Sequence, residues 1–234
     1  MKKKYSYIGI SFIILLFGIY VVRNLDRRID ENDLVQDDRL NKIDKKSTST
    51  NSSLFKFNKV PDFEFINQNG ITISNNDYKG KVYVVEFFFT TCPTICPLMN
   101  KQMLKIQNEF KGNNDFGIAS ISITPEIDTP EVMKAYALEH KITHKNWNLL
   151  TGKSQEIVYA LSNKGFKLYV GKGDEDHGGF EHSGLFALVD KEGNIRSRKD
   201  QYGNPIMYYR ALKEQTFADQ ITELKEDIKI LLNE

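Results

Sequence analysis

The chain has 234 residues, 40% hydrophobic and 27% charged, a balance that fills one globular domain with attachments and argues against wholesale disorder. Its 32 basic and 31 acidic residues are interspersed and leave a formal net charge of +1, so no basic field recruits nucleic acid, which is set aside as a partner.

The first element is apolar. After MKKK, the eighteen residues from Tyr5 to Val22 carry no charge, close to the minimum of roughly 17 residues for crossing a bilayer. The run is longer than the apolar part of a cleaved signal and has no small-residue cleavage site, so residues 1–23 are read as a cytoplasmic stub and an uncleaved single-pass anchor. Lys2, Lys3 and Lys4 on one flank nearly balance Arg23, Arg27 and Arg28 on the other. The N-terminus is placed in the cytoplasm because the thiol chemistry below suits an extracytoplasmic domain. Residues 24–56, polar, charged and closing on a Ser/Thr/Asn cluster, read as a flexible linker with an r.m.s. span of roughly 30 Å.

The folded domain is assigned to residues 57–234. VPDFEFINQNGITI predicts a hairpin about Asn69-Gly70, and KVYVVEFFF, too continuously apolar for a half-exposed strand, predicts a buried central one. Ile95, Met99, Met103, Ile106 and Phe110 recur at helical spacing up to a stop at Lys111-Gly112. FGIASISI is a second buried strand, and Thr129-Pro130-Glu131 opens a helix with a cap, a first-turn proline and an early acid. WNLL, a helix over SQEIVYALSN ending at Gly165, and a strand over FKLYV continue the alternation. The loop GKGDEDHGG interrupts it. GLFALVD and NIRSR form a hairpin that YGNPIMYYR extends, and Phe217 to Leu232 closes the domain as an amphipathic helix. The expected class is α/β, a central mixed sheet covered on both faces.

Cys92 and Cys96 are the only cysteines. Cys92 is expected at the end of the buried strand, with Cys96 one helical turn on, so that both sulfurs share a face. The N–H groups of a helix start favour thiolate, so Cys92 is expected to be more acidic than a free cysteine. A structural disulfide closing three intervening residues would remove little chain entropy, which favours a working thiol pair over a staple. His140 and His144 are four apart and complete a possible Cys2His2 zinc set, but a helix end and the following loop make them read as surface residues. His177 lies in the Gly-rich loop. His182, before a strand expected to neighbour the cysteine strand, reads on its own as a solvated histidine.

Four segments together, VEFFFTTCPTICPLM, SITPEIDTPEVMKAYA, LLTGK and EHSGLFALVDKEG, resemble the Sco/SenC family, in its order and over roughly residues 60 to 199. The resemblance implies a thioredoxin-like fold behind an N-terminal membrane anchor, with the domain on the periplasmic side of the inner membrane. It implies copper, Cu(I) or Cu(II), held by Cys92, Cys96 and His182 and delivered to the dinuclear copper site of cytochrome c oxidase. The oxidase's copper-binding subunit is then the partner, with another copper chaperone or a thiol reductant as further ones. Two thiolates and an imidazole suit copper, where calcium or magnesium would want oxygen ligands. The alternative within the family is a thiol-disulfide oxidoreductase whose redox-active pair is Cys92 and Cys96. A distant histidine discriminates the two, since disulfide exchange needs none. A thiol peroxidase is disfavoured because the Thr-x-x-Cys arrangement is absent. Glu181 and Thr124 each stand where the family usually has aspartate, and Thr124 removes an acid from the loop expected to face the site.

Overall fold

A computed structural model describes residues 11, 13–20, 54–212 and 219–234 of the chain. The chain divides into two compact units, Met1–Asn51 and Ser52–Glu234. In the first, residues 13–20 are helical, with Ile13, Ile14, Leu15, Leu16 and Phe17 exposed. Among the described residues no helix is long and apolar enough to cross a membrane. The rest of the expected anchor, and the linker up to residue 53, lie outside the described residues.

The second unit is built on a nine-stranded mixed sheet in the order β1-β10-β9-β4-β5-β6-β2-β3, with β11 added to β9. At its centre are β4 (Val82–Phe88) and β5 (Phe116–Ser122), parallel to each other and buried at every residue, as their unbroken apolar runs require. β6 (Trp147–Thr151) extends the parallel part, and β9 (Leu185–Val189) flanks β4 antiparallel. The outer strands are β10 (Asn194–Ser197) and β1 (Phe55–Lys59) on one side, and the hairpin of β2 (Glu64–Asn67) and β3 (Thr72–Ser74) on the other. Gly70 at φ 74° supplies the left-handed residue of that hairpin.

Helix α1 (Ile95–Glu109) turns Cys96, Met99, Met103 and Ile106 inward at helical spacing. It packs on α4 (Gln220–Asn233), where Lys225 and Lys229 pair with Glu109. Helix α2 (Pro130–Glu139) starts as its sequence predicts: Thr129 accepts from the Val132 N–H and Pro130 occupies the first turn. The core is aromatic, with Trp147, Tyr83, Phe87, Phe116, Phe166, Phe186 and Tyr209 each no more than 2% exposed. Burying such a side chain contributes about 1.5–3 kcal/mol.

Three expectations need correction. The domain begins earlier than residue 57, since Leu54 is buried and β1 starts at Phe55. FKFNK alternates like an edge strand, but only its pairing with β10 distinguishes it from linker. The helix over SQEIVYALSN ends as α3 (Gln155–Ala160) and widens into a π turn, Leu161–Phe166, that runs through Gly165 instead of stopping there. Gly165 is needed for packing, because a Cβ would lie 2.5 Å from Pro61. The strand expected over FKLYV is displaced to β7 (Val170–Lys172), which forms a separate two-stranded sheet with β8 (Phe180–His182). GKGDEDHGG is the connection of that hairpin, and β11 (Tyr209–Arg210) extends the β9–β10 hairpin as expected, by pairing with β9.

Candidate metal centre

The thiol turn hangs between β4 and α1. β4 ends at Phe88, four residues before Cys92, and the helix begins at Ile95, so Cys92 precedes the helix and does not share a helical face with Cys96. The sulfurs converge all the same, because the turn closed by the Cys92 N–H on the Phe89 carbonyl folds Cys92 back over the helix start. The Cys96 N–H then points at Cys92 Sγ, 3.5 Å away. Pro97 is the third helical residue, where an N–H would have no intrahelical partner.

His182 ends β8 and comes from the far side of the chain in sequence. Its Nε2 lies 3.0 Å from Cys96 Sγ, and its Nδ1 faces the Ser183 carbonyl at 3.2 Å. In the tautomer with its proton on Nδ1, donated to that carbonyl, the Nε2 lone pair faces the sulfurs and suits a metal; with the proton on Nε2 the ring donates to a thiolate instead. The Phe89 ring stands edge-on to the imidazole at 5.8 Å and holds its plane. All three donor atoms lie within 4.8 Å of one another, and all three residues are buried. Among the described residues this is the one His/Cys/Asp/Glu cluster with the spacing of a metal site.

The two thiols are unequal. Cys92 is held well below the ordinary thiol range, chiefly by the hydrogen bond from the Cys96 thiol, with His182 and the Cys96 and Thr94 backbone adding to it against the cost of burial. Cys96 is pushed up by the same partnership, by burial and by the neighbouring Cys92 and Glu86 charges. Cys92 opens on a groove of about 400 Å³ that Cys96 does not line. The outer sulfur is therefore the accessible thiolate and the inner one the reserved thiol, on grounds of hydrogen bonding more than of the helix N-terminus.

Two buried carboxyls that the sequence reading did not single out support this arrangement. Glu86, on β4, accepts from Ser120 Oγ at 2.6 Å, and Ser120 in turn accepts from Trp147 Nε1 at 2.9 Å. Burial pushes Glu86 up to about 7 despite the Ser120 hydroxyl. It shares a cavity of about 10 Å³, the size of one water, with Cys96, Asn100 and Tyr136. An acid inside the apolar run KVYVVEFFF was the available signal. Asp128, fully buried, accepts from Ser122 Oγ at 2.5 Å, Thr124 Oγ1 at 3.0 Å, and both the N–H (3.2 Å) and hydroxyl of Thr90. It ties the loop before α2 to a residue two positions from Cys92. Thr124 does not face the site but donates to Asp128, so the acid it lacks is answered by a donor to the acid that remains.

His140 and His144 stay apart from the site. His140 stacks on Tyr136 at 3.9 Å. His144 is buried, not at the surface, with Nδ1 accepting from the Asn146 N–H at 3.2 Å and its pKa lowered first by burial. His177 lies in the turn Glu175–His177 of the β7–β8 connection.

Known proteins resemble this chain in sequence and in fold. The SCO1/SenC family model matches residues 51–216. The SCO1 protein homolog of Bacillus subtilis is 34% identical over 167 residues, 71% of this chain and 81% of its own. An SCO2-like protein of Rickettsia typhi is 36% identical, and the chain spans 64% of its length. A SCO1/SenC family lipoprotein from Bacillus anthracis superposes with a TM-score of 0.63 at 31% identity over 75% of this chain and 96% of its own. BsSco, a member of the Sco family of cytochrome c oxidase assembly proteins in which a disulfide switch was identified, gives 0.61 at 28% over 80% and 98%. ScoI of Bradyrhizobium japonicum, solved with copper bound, gives 0.58 at 21% over 75% and 100%, and shares the fold. With a family model covering most of the chain and an α/β domain that superposes on Sco structures along nearly their full length, this chain belongs to the SCO1/SenC family.

Proposed function

We propose that this chain is a membrane-anchored metallochaperone that binds copper through Cys92, Cys96 and His182 and delivers it to the dinuclear copper site of cytochrome c oxidase. The observation that carries the reading is the convergence of two sulfurs and one imidazole nitrogen within 4.8 Å, from a turn, a helix and a separate hairpin. Soft thiolates with one imidazole suit Cu(I) in three coordinates and also accept Cu(II), while an all-oxygen set would suit magnesium or calcium. The named roles of its relatives support the cargo and the destination: BsSco belongs to a family of oxidase assembly proteins, and ScoI binds copper. The oxidase subunit that takes the metal, a copper donor or thiol reductant, and a periplasmic position behind an uncleaved N-terminal anchor complete the proposal.

The chain's own residues do the handling. Cys92 lines the groove and is the sulfur favoured as thiolate; Cys96, on giving up its proton to solvent, and His182 would complete the donor set for an incoming ion. His182 is oriented by the Ser183 carbonyl and the Phe89 ring. The metal is cargo, so the site has to release it, and three ligands on three different elements allow stepwise release.

The test is a Cu(I) competition titration of the reduced full chain against a chelator. His182→Ala is expected to weaken binding at least about 10-fold, and either cysteine changed to serine to abolish tight binding. Unchanged affinity in His182→Ala would remove the third ligand and the reading with it.

A second reading, a thiol-disulfide oxidoreductase, is favoured by the opposite acidities of the two thiols, a nucleophile that lines the groove beside a resolving thiol that does not. Rapid reduction of a model disulfide by a chain that binds no copper would replace the first reading with this one.

A further inference from the structure

The groove over Cys92 has a composition the metal site does not explain. Phe89, Ile95, Leu98, Phe180 and Leu212 line it, and Leu98, in the first turns of α1, is 44% exposed. Its volume of about 400 Å³ is far larger than a metal ion needs and accommodates one or two large side chains. We propose that this groove docks a segment of the copper-accepting protein that carries an apolar anchor flanked by lysine or arginine; the inference rests on the chaperone reading of the same site.

The sign of the partner's charge follows from the two walls. On one side, residues 87–100 (FFFTTCPTICPLMN) contain no charged residue. On the other, the β7–β8 hairpin exposes Asp174, Glu175, Asp176 and Glu181 against Lys172, a formal charge of 1 − 4 = −3 over residues 172–182 with His neutral. Glu181 lines the groove and, among the described residues, is the one carboxyl that does. The acidic turn sits directly on the thiol turn: a Cβ at Gly178 would lie 3.1 Å from Phe89 and 3.3 Å from Pro93, and Gly178 takes φ 79°, so the residue there is small and left-handed. An apolar floor with a net acidic rim on one side is complementary to a cationic segment that inserts a leucine or phenylalanine. Such a rim raises association rates for a cationic partner and suppresses acidic ones, an effect that salt removes.

The experiment uses fluorescent peptides in which serine replaces any cysteine, so that docking is read without metal transfer. Anisotropy is measured with the reduced metal-free full chain in detergent. A Lys-Leu-Ser-Ala-Ala-Ala-Ser-Leu-Lys peptide is compared with its Lys-to-Glu and Leu-to-Gly counterparts. The Lys/Leu peptide is expected to bind at least about 10-fold more tightly than either at low ionic strength, with the charge preference falling below about 2-fold in 0.5 M salt. The triple variant Asp174→Lys, Glu175→Lys, Asp176→Lys is expected to reverse the charge preference while its Cu(I) affinity stays unchanged, and Leu98→Asp to erase the advantage of leucine over glycine. Equal binding of the Lys and Glu peptides, preference for the Glu peptide, or an unaltered preference in the triple variant overturns the proposal. Loss of Cu(I) binding by the parent chain would instead strike the chaperone reading, and the anisotropy result stands apart from it.

Discussion

Cys92 and Cys96 are four residues apart and chemically opposite. The chain folds Cys92 back onto the start of α1, where the Cys96 thiol, the Cys96 N–H and His182 all favour a Cys92 thiolate. At pH 6 iodoacetamide is expected to modify Cys92 at least about 10-fold faster than Cys96 in the reduced metal-free chain, read by peptide mass spectrometry. Faster labelling of Cys96 would reverse the assignment of nucleophile. Glu86 supplies a pH dependence of its own. Its carboxyl sits at about 7 in the folded chain against an ordinary 4.5, so the folded state holds the extra proton between these values. Stability from this group is therefore full below about 4.5 and is lost as pH rises through 7, by about 3 kcal/mol in all. Glu86→Gln keeps the neutral shape and is expected to gain on the parent as pH rises from 5 to 8 in urea unfolding of the reduced chain. A constant difference between the two across that range would contradict a buried neutral acid.

At the scale of elements, the site depends on a turn that has no regular hydrogen-bond ladder of its own. Thr90 is held by Asp128, whose carboxylate collects four donors from the thiol turn, the end of β5 and the loop before α2. Asp128→Ala would leave three hydroxyls and one N–H without their acceptor and is expected to destabilise the domain by about 3 kcal/mol. It should also slow Cys92 alkylation, because the turn that presents the sulfur is loosened; Asp128→Asn, which keeps one acceptor oxygen, should fall between. Unfolding by urea and the alkylation rate check the two effects separately. The helix starts around this knot were legible beforehand. Thr129 and Pro130 announce α2 by local chemistry alone, and the Met99, Met103 and Ile106 spacing announces α1. The strands β1 and β7 were not, since FKFNK and VGK are short and acquire strand geometry only from partners distant in sequence or across a loop.

At the scale of the whole molecule, the sheet order brings β9 beside β4 and lets the β7–β8 hairpin reach over α1, which is how a histidine 86 residues from Cys96 comes within 3.0 Å of it. The proposed anchor belongs to this scale as well: alkaline carbonate washing is expected to leave the full chain in the membrane pellet, and its release to the supernatant would remove the anchor from the proposal. By itself the sequence determined the central βαβ unit, the position of the thiol pair at its first turn, and, through the resemblance of four ordered segments, the third candidate ligand. These are matters of local periodicity, capping and composition, which neighbouring residues settle. Only the tertiary structure decided that Cys92 lies before the helix, that its thiolate is supported mainly by Cys96, that His144 is buried, and that Glu86 and Asp128 stand beneath the site. Each of those depends on which distant group fills the space around a side chain and whether it donates, accepts or excludes water, and no local pattern in the chain records that.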